Sequence, residues 1–98
     1  MENWTKPYHN GVLLYEPVIP DHVAKILHKI KKRDMETYSE FAKKLNRILE
    51  FPYHNAHPLH GEYKNIWETH LRNKLLLYKI DEVSNSVILV DLIDHDEL

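Results

Sequence analysis

The sequence predicts an α+β domain in the order βααβββ: an N-terminal strand, an αα-hairpin, then an antiparallel β-meander with the helices packed on one face. Three observations carry this. Apolar residues recur at helical spacing between Val23 and Leu49. They alternate, or run continuously at strand length, between Tyr63 and Ile93. Proline and asparagine punctuate the joins.

Val12 to Val18 reads as the first strand, closed by Pro17 and Pro20, and Pro20 also suits the first turn of a helix. Val23, Ile26, Leu27 and Ile30 follow the i, i+3, i+4, i+7 pattern of one amphipathic helix. Lys32, Arg33 and Asp34 break the pattern, and Asp34 is a good N-cap for a second helix. There Met35, Tyr38, Ala42, Leu45 and Leu49 form the apolar stripe, widened by Phe41 and Ile48, and Phe51-Pro52 ends it. Each stripe needs a surface to cover it, and the second half supplies one. Glu62 to Arg72 alternates, placing Tyr63, Trp67, Thr69 and Leu71 on one face and Ile66, Glu68, His70 and Arg72 on the other. Asn73 marks a tight turn, Lys74 to Ile80 is the next strand, Asp81 to Asn85 a polar loop, and Ser86 to Ile93 the last strand. The helices of residues 21–50 are expected to lie over Trp67 or Leu71 and alternate residues of that last strand.

Length and composition narrow the class. Ninety-eight residues make about one domain, so residues 1–98 are read as a single unit. The absence of cysteine removes disulfides, thiolate zinc sites and a cysteine nucleophile together. No apolar run approaches the roughly 20 residues of a membrane span, so no membrane role is expected. Met1 to Tyr15 lacks a basic segment followed by an apolar one, which favours a cytoplasmic protein. In that compartment the His95-Asp96-Glu97-Leu98 retention-like ending and the Asn3-Trp4-Thr5 sequon have no reader.

Charge and histidine content are the unusual features. The net charge of -2 hides a basic first half and an acidic second half. Lys25 to Arg47 holds eight basic residues against three acidic ones, the footprint of a nucleic-acid or acidic-peptide partner. A solvated face on amphipathic helices gives the same pattern, so charge alone leaves both readings open. There are eight histidines, His9, His22, His28, His54, His57, His60, His70 and His95. Imidazole is the default proton carrier near neutrality and a frequent metal ligand. His54, His57 and His60 fall every third residue, but Pro52 and Pro58 keep any helix from aligning them. No structural metal and no cofactor are expected.

An ordered set of motifs then points to a family. His57-Pro58-Leu59-x-Gly61, Tyr63, Trp67-Glu68-Thr69-His70-Leu71, Leu75-Leu76-Leu77-Tyr78-Lys79-Ile80 and a last strand ending in Asp94-His95-Asp96 follow one another over nearly the whole chain. Together with the helical hairpin they resemble the RelE/YafQ branch of the type II toxin–antitoxin toxins, in the RelE/ParE superfamily. The resemblance implies a cytoplasmic mRNA interferase that cuts mRNA on the ribosome and a cognate antitoxin protein that neutralises it. It implies no DNA binding by the toxin alone and no cofactor. It also places functional histidines at His57, His70 and His95.

Such cleavage uses the ribose 2′-hydroxyl as nucleophile. The protein must accept one proton, donate another and stabilise negative charge on phosphorus. Histidines suit the proton transfers, Glu68 could orient a ring, and Arg72, Lys74 and Lys79 are the candidate phosphate-binding cations. The branch carries an arginine in the last strand where this chain has Asp91, and an aromatic residue after its final histidine where this chain ends at Leu98. Asp91 would repel a phosphate. Two alternatives to the nuclease therefore stand: a catalytically attenuated member kept for its complex with a partner, and a non-nuclease that binds a protein target, as the gyrase-inhibiting ParE toxins do.

Overall fold

The computed structural model describes residues 8–9, 12–54, 56–59, 61 and 65–95. Two short strands, β1 (Tyr8–His9) and β2 (Val12–Leu13), pair antiparallel as a separate ribbon. β3 (Glu16–Val18) leads through Pro20 into α1 (Asp21–Arg33), and α2 (Met35–Glu50) follows. Then come β4 (His57–Pro58), β5 (Trp67–Leu71), β6 (Lys74–Asp81) and β7 (Ser86–Asp94). The main sheet has the order β3-β7-β6-β5-β4.

A single residue joins the two helices. The Asp34 backbone N–H closes α1 on the Ile30 carbonyl at 2.7 Å, while its carboxylate accepts the Thr37 backbone N–H at 3.1 Å to open α2. The Thr37 hydroxyl donates to the same carboxylate at 2.6 Å, and these two bonds hold the Asp34 carboxyl below its ordinary value. α1 ends in Lys31, Lys32 and Arg33, cations placed where a helix C-terminus favours them.

Both helices cover the same sheet face. Val23, Leu27, Phe41, Ile48 and Leu49 meet Leu71, Leu76, Tyr78, Val87, Leu89 and Leu92 in one core. The second stripe sits differently from its expected centre. Phe41, Ile48 and Leu49 are buried with Thr37, whereas Met35 is 59% exposed and Ala42 faces solvent. Thr37 takes the inward place because its hydroxyl is already bonded to the cap.

The sheet also departs from a pure meander. β4 to β7 are antiparallel, but β3 runs parallel to β7, with Glu16, Pro17 and Val18 opposite Ser86, Val87 and Ile88. The expected strand of residues 12–18 is broken at Leu14-Tyr15, so only its second part joins the main sheet. The H-P-L motif contributes a strand too, because β4 pairs His57 with Glu68 and Pro58 with Trp67. The strand expected from Glu62 begins at Trp67; Tyr63 lies outside the described residues.

A bulge sets the register of β7. Leu77 pairs with Asp91 and Tyr78 with Leu89, which leaves Val90 as the extra residue. Leu89 and Leu92 are three apart, yet both belong to the helix-side core, and only such an insertion lets them share a face. His22 of α1 donates from Nε2–H to the Val90 carbonyl at 2.7 Å, tying the bulge to the helix.

Candidate functional site on the outer sheet face

Strand alternation sends Leu75 and Leu77 to the face away from the helices, where they are 3% and 5% exposed and lie outside the helix-side core. They form an apolar floor. Around it, cross-strand pairing makes two rows: His57–Glu68–Leu77–Asp91, and His70–Leu75–Ile93. Directly paired residues share a face, and diagonal neighbours lie about 7–8 Å apart, so His57, Glu68 and His70 border one surface. Beyond the second row, the His95 backbone N–H donates to the Asn73 carbonyl at 3.0 Å, which carries the antiparallel β6–β7 pairing one residue past Lys74–Asp94, to the β5–β6 turn. That turn brings two histidines together: the His70 and His95 rings stack with centroids 5.1 Å apart and planes 28° from parallel.

The three expected histidines therefore share the outer face, with His70 and His95 in ring contact and His57 one strand away. Glu68 sits opposite His57, two residues along β5 from His70. The three expected cations do not stay together. Arg72 is not part of the strand; it occupies the two-residue β5–β6 turn at φ 56°, and its guanidinium lies 3.6 Å from Glu36 at the start of α2. Lys74 shares its parity with Leu76 and points to the helix side, where its amine bonds Asp94 at 2.8 Å. Lys79 alone of the three is on the outer face, exposed, and about 13 Å along β6 from Leu75. Asp91 is on that face as well, and its Oδ1 accepts the backbone N–H of Leu92 at 2.9 Å. Among the described residues no group of three or more histidines and carboxylates is arranged to hold a metal ion; His60 lies outside them.

Several residues that position this surface have no local signature. Tyr78 is fully buried and donates to the Pro52 carbonyl at 2.7 Å, and burial pushes its phenol up to about 12. Glu82, in the β6–β7 turn, accepts from the hydroxyls of both Tyr15 and Tyr53. Those bonds raise both phenols, Tyr53 to about 12. Tyr53 also meets Trp67 edge-on at 5.1 Å. These ties fix the turn leading from α2 to His57.

Comparison with known proteins gives the surface its context. No protein-family model matches the sequence. RelE4 of Methanocaldococcus jannaschii, a candidate toxin by its description, is 33% identical over 89 residues, which is 87% of this chain and 90% of that protein. A chain of the toxin–antitoxin complex RelBE2 from Mycobacterium tuberculosis has a TM-score of 0.69 at 22% identity, covering 84% of this chain and 99% of its own. A chain of the RelE–RelB complex from Pyrococcus horikoshii has a TM-score of 0.73 at 14% identity, covering 88% and 100%. The two structures share the fold. With the identity to RelE4 extending over most of both chains, the protein belongs to the RelE family of toxins.

Proposed function

We propose that this chain is the toxin of a toxin–antitoxin pair, acting in the cytoplasm through one domain as a metal-independent endoribonuclease on ribosome-bound mRNA. The observation that carries the reading is the stacked His70–His95 pair, 5.1 Å between centroids, on the sheet face that also bears His57. In the reaction, one imidazole takes the proton of a ribose 2′-hydroxyl as O2′ bonds to the adjacent phosphorus. The P–O5′ bond breaks, and a second imidazole protonates the departing O5′. The products are a 2′,3′-cyclic phosphate and a 5′-hydroxyl. His70 and His95 are the proposed pair for these transfers, His57 the third imidazole, and Glu68 the carboxylate placed to orient it. Lys79 is the cation left for phosphate, since Arg72 and Lys74 are engaged by Glu36 and Asp94. The RelBE2 complex supports a cognate antitoxin as the protein partner.

One feature favours a second reading, an attenuated member that acts by binding its partner: the outer face presents carboxylates at Glu68 and Asp91 beside the presumed phosphate. Inducible expression with mapping of mRNA 5′ ends, with and without the neighbouring antitoxin gene, separates the two. The nuclease gives growth arrest with new codon-phased ends. General acid–base assistance contributes about 10²–10⁴-fold, so His70→Ala or His95→Ala should lose cleavage by that order while keeping the wild-type melting temperature. Wild-type cleavage by both variants refutes the catalytic assignment. Absence of new ends on wild-type expression leaves the binding reading.

A further inference from the structure

At the C-terminal end of α2, on the helix side of β5, lies a pocket of about 200 Å³ that the outer face does not include. Ile48 and Phe51 supply its apolar wall, Lys44, Arg47 and His54 its basic rim, and Thr69 its base on the strand. Phe51 is 56% exposed, a large aromatic ring that the core does not use. Among the described residues no ion pair engages Lys44 or Arg47.

The backbone that presents these groups is held from several sides. Phe51 N–H donates to the Arg47 carbonyl at 2.8 Å, and His54 N–H to the Phe51 carbonyl at 3.1 Å. Between them, Pro52 is pinned by Tyr78 and Tyr53 by Glu82 and Trp67. The two inner residues of the turn are thus anchored to the protein, and the two outer ones, Phe51 and His54, are left to line the pocket. A turn whose backbone is already held loses less entropy when something binds the side chains it presents.

We propose that this pocket is a nucleotide subsite that takes one unstacked base of single-stranded RNA against Phe51, with the flanking phosphates on Lys44 and Arg47. It rests on the reading of RNA as the substrate and extends that reading to a second point of contact. An exposed aromatic ring beside unpaired cations is the arrangement by which proteins hold single strands with little sequence preference. The interior also suits a base better than a phosphate. The carbonyl end of α2 borders it, which disfavours an anion and suits the amino groups of a base. Phosphates belong at the rim, where Lys44 and Arg47 stand. The pocket and the histidines lie on opposite faces of the sheet, Thr69 and His70 being neighbours on β5, so one strand occupying both would have to pass around the β4 edge, where His57 follows His54 by three residues.

The test is fluorescence anisotropy with a labelled single-stranded 2′-deoxy oligonucleotide, which has no 2′-hydroxyl and cannot be cut. Phe51→Ala should weaken binding by about five-fold or more, the loss of one stacked base. Phe51→Trp should retain it. Arg47→Ala should lower the slope of log affinity against log salt by about one. Since Phe51 is exposed, Phe51→Ala should melt with the wild type; if it does not, Lys44→Ala and Arg47→Ala carry the test. Wild-type affinity in these variants, or equal binding of a duplex of the same sequence, overturns the proposal. So does displacement of the probe by an acidic amphipathic peptide whose own affinity depends on Phe51 when the oligonucleotide's does not. Phe51-dependent binding without RNA cleavage by the wild type leaves this subsite standing and removes the nuclease. Cleavage with Phe51-independent binding does the reverse.

Discussion

Replacing Tyr78 by Phe removes one oxygen from the buried core and leaves the ring in place. Tyr78 is 0% exposed, and its hydroxyl is the donor to the Pro52 carbonyl at 2.7 Å. A typical buried hydrogen bond contributes a net ~0.5–1.5 kcal/mol, and an orphaned buried acceptor costs about 1–3 kcal/mol. Pro52 is itself buried, so the upper part of this range applies and a loss of about 1–3 kcal/mol is expected. For a chain of this size each kcal/mol lowers the melting temperature by about 4–8 °C. Urea denaturation at pH 7 should show a lower midpoint with an unchanged slope.

Alkali provides a second readout of opposite sense. Burial raises the folded Tyr78 phenol to about 12 from an ordinary 10.0. The neutral form is favoured by folding, so this contribution is complete below about pH 10 and is lost as pH climbs through about 12. Tyr78→Phe should therefore start less stable and decline less steeply over that window. Tyr15 and Tyr53 titrate in both proteins and drop out of the difference. An unchanged urea midpoint at pH 7, or parallel alkaline declines, would refute the reasoning.

Asp34→Ala should lower the melting temperature at neutral pH, because Thr37 loses both its backbone and its hydroxyl partner. The wild-type advantage should be present above the ordinary carboxyl value of 3.8 and vanish as pH falls through the lowered folded value, read as melting temperature against pH. Asp91→Arg exchanges a negative for a positive charge on the outer face, one row from His70 and without a core contact. RNA cleavage on programmed ribosomes should be equal or higher, and a fall in activity in a folded variant would show that Asp91 assists the site.

The helical hairpin was legible because its signals are local. Asp34 needs only Thr37, three residues on, to cap α2, and the spacing of Val23 and Leu27 needs only the helix period. His57, His70 and His95 were expected as a set through the family resemblance of the motifs around them; strand alternation by itself placed only Glu68 and His70 on one face. Alternation failed at Arg72, where a left-handed backbone ends the strand and turns the side chain toward Glu36. Alternation does separate Lys74 from Lys79, five residues apart and so on opposite faces, but the partner that engages Lys74, Asp94, came only with the pairing of β6 and β7.

What the sequence determined by itself was therefore the helical hairpin and the strand-rich second half, because each is written in spacing over a few residues. Tertiary structure alone decided the parallel seat of β3, the ring contact between His70 and His95, and the pocket around Phe51. The first two join residues far apart in the chain, and the pocket, otherwise built from residues 44–54, closes on Thr69 of β5; such contacts form only when core packing has fixed the register of the strands.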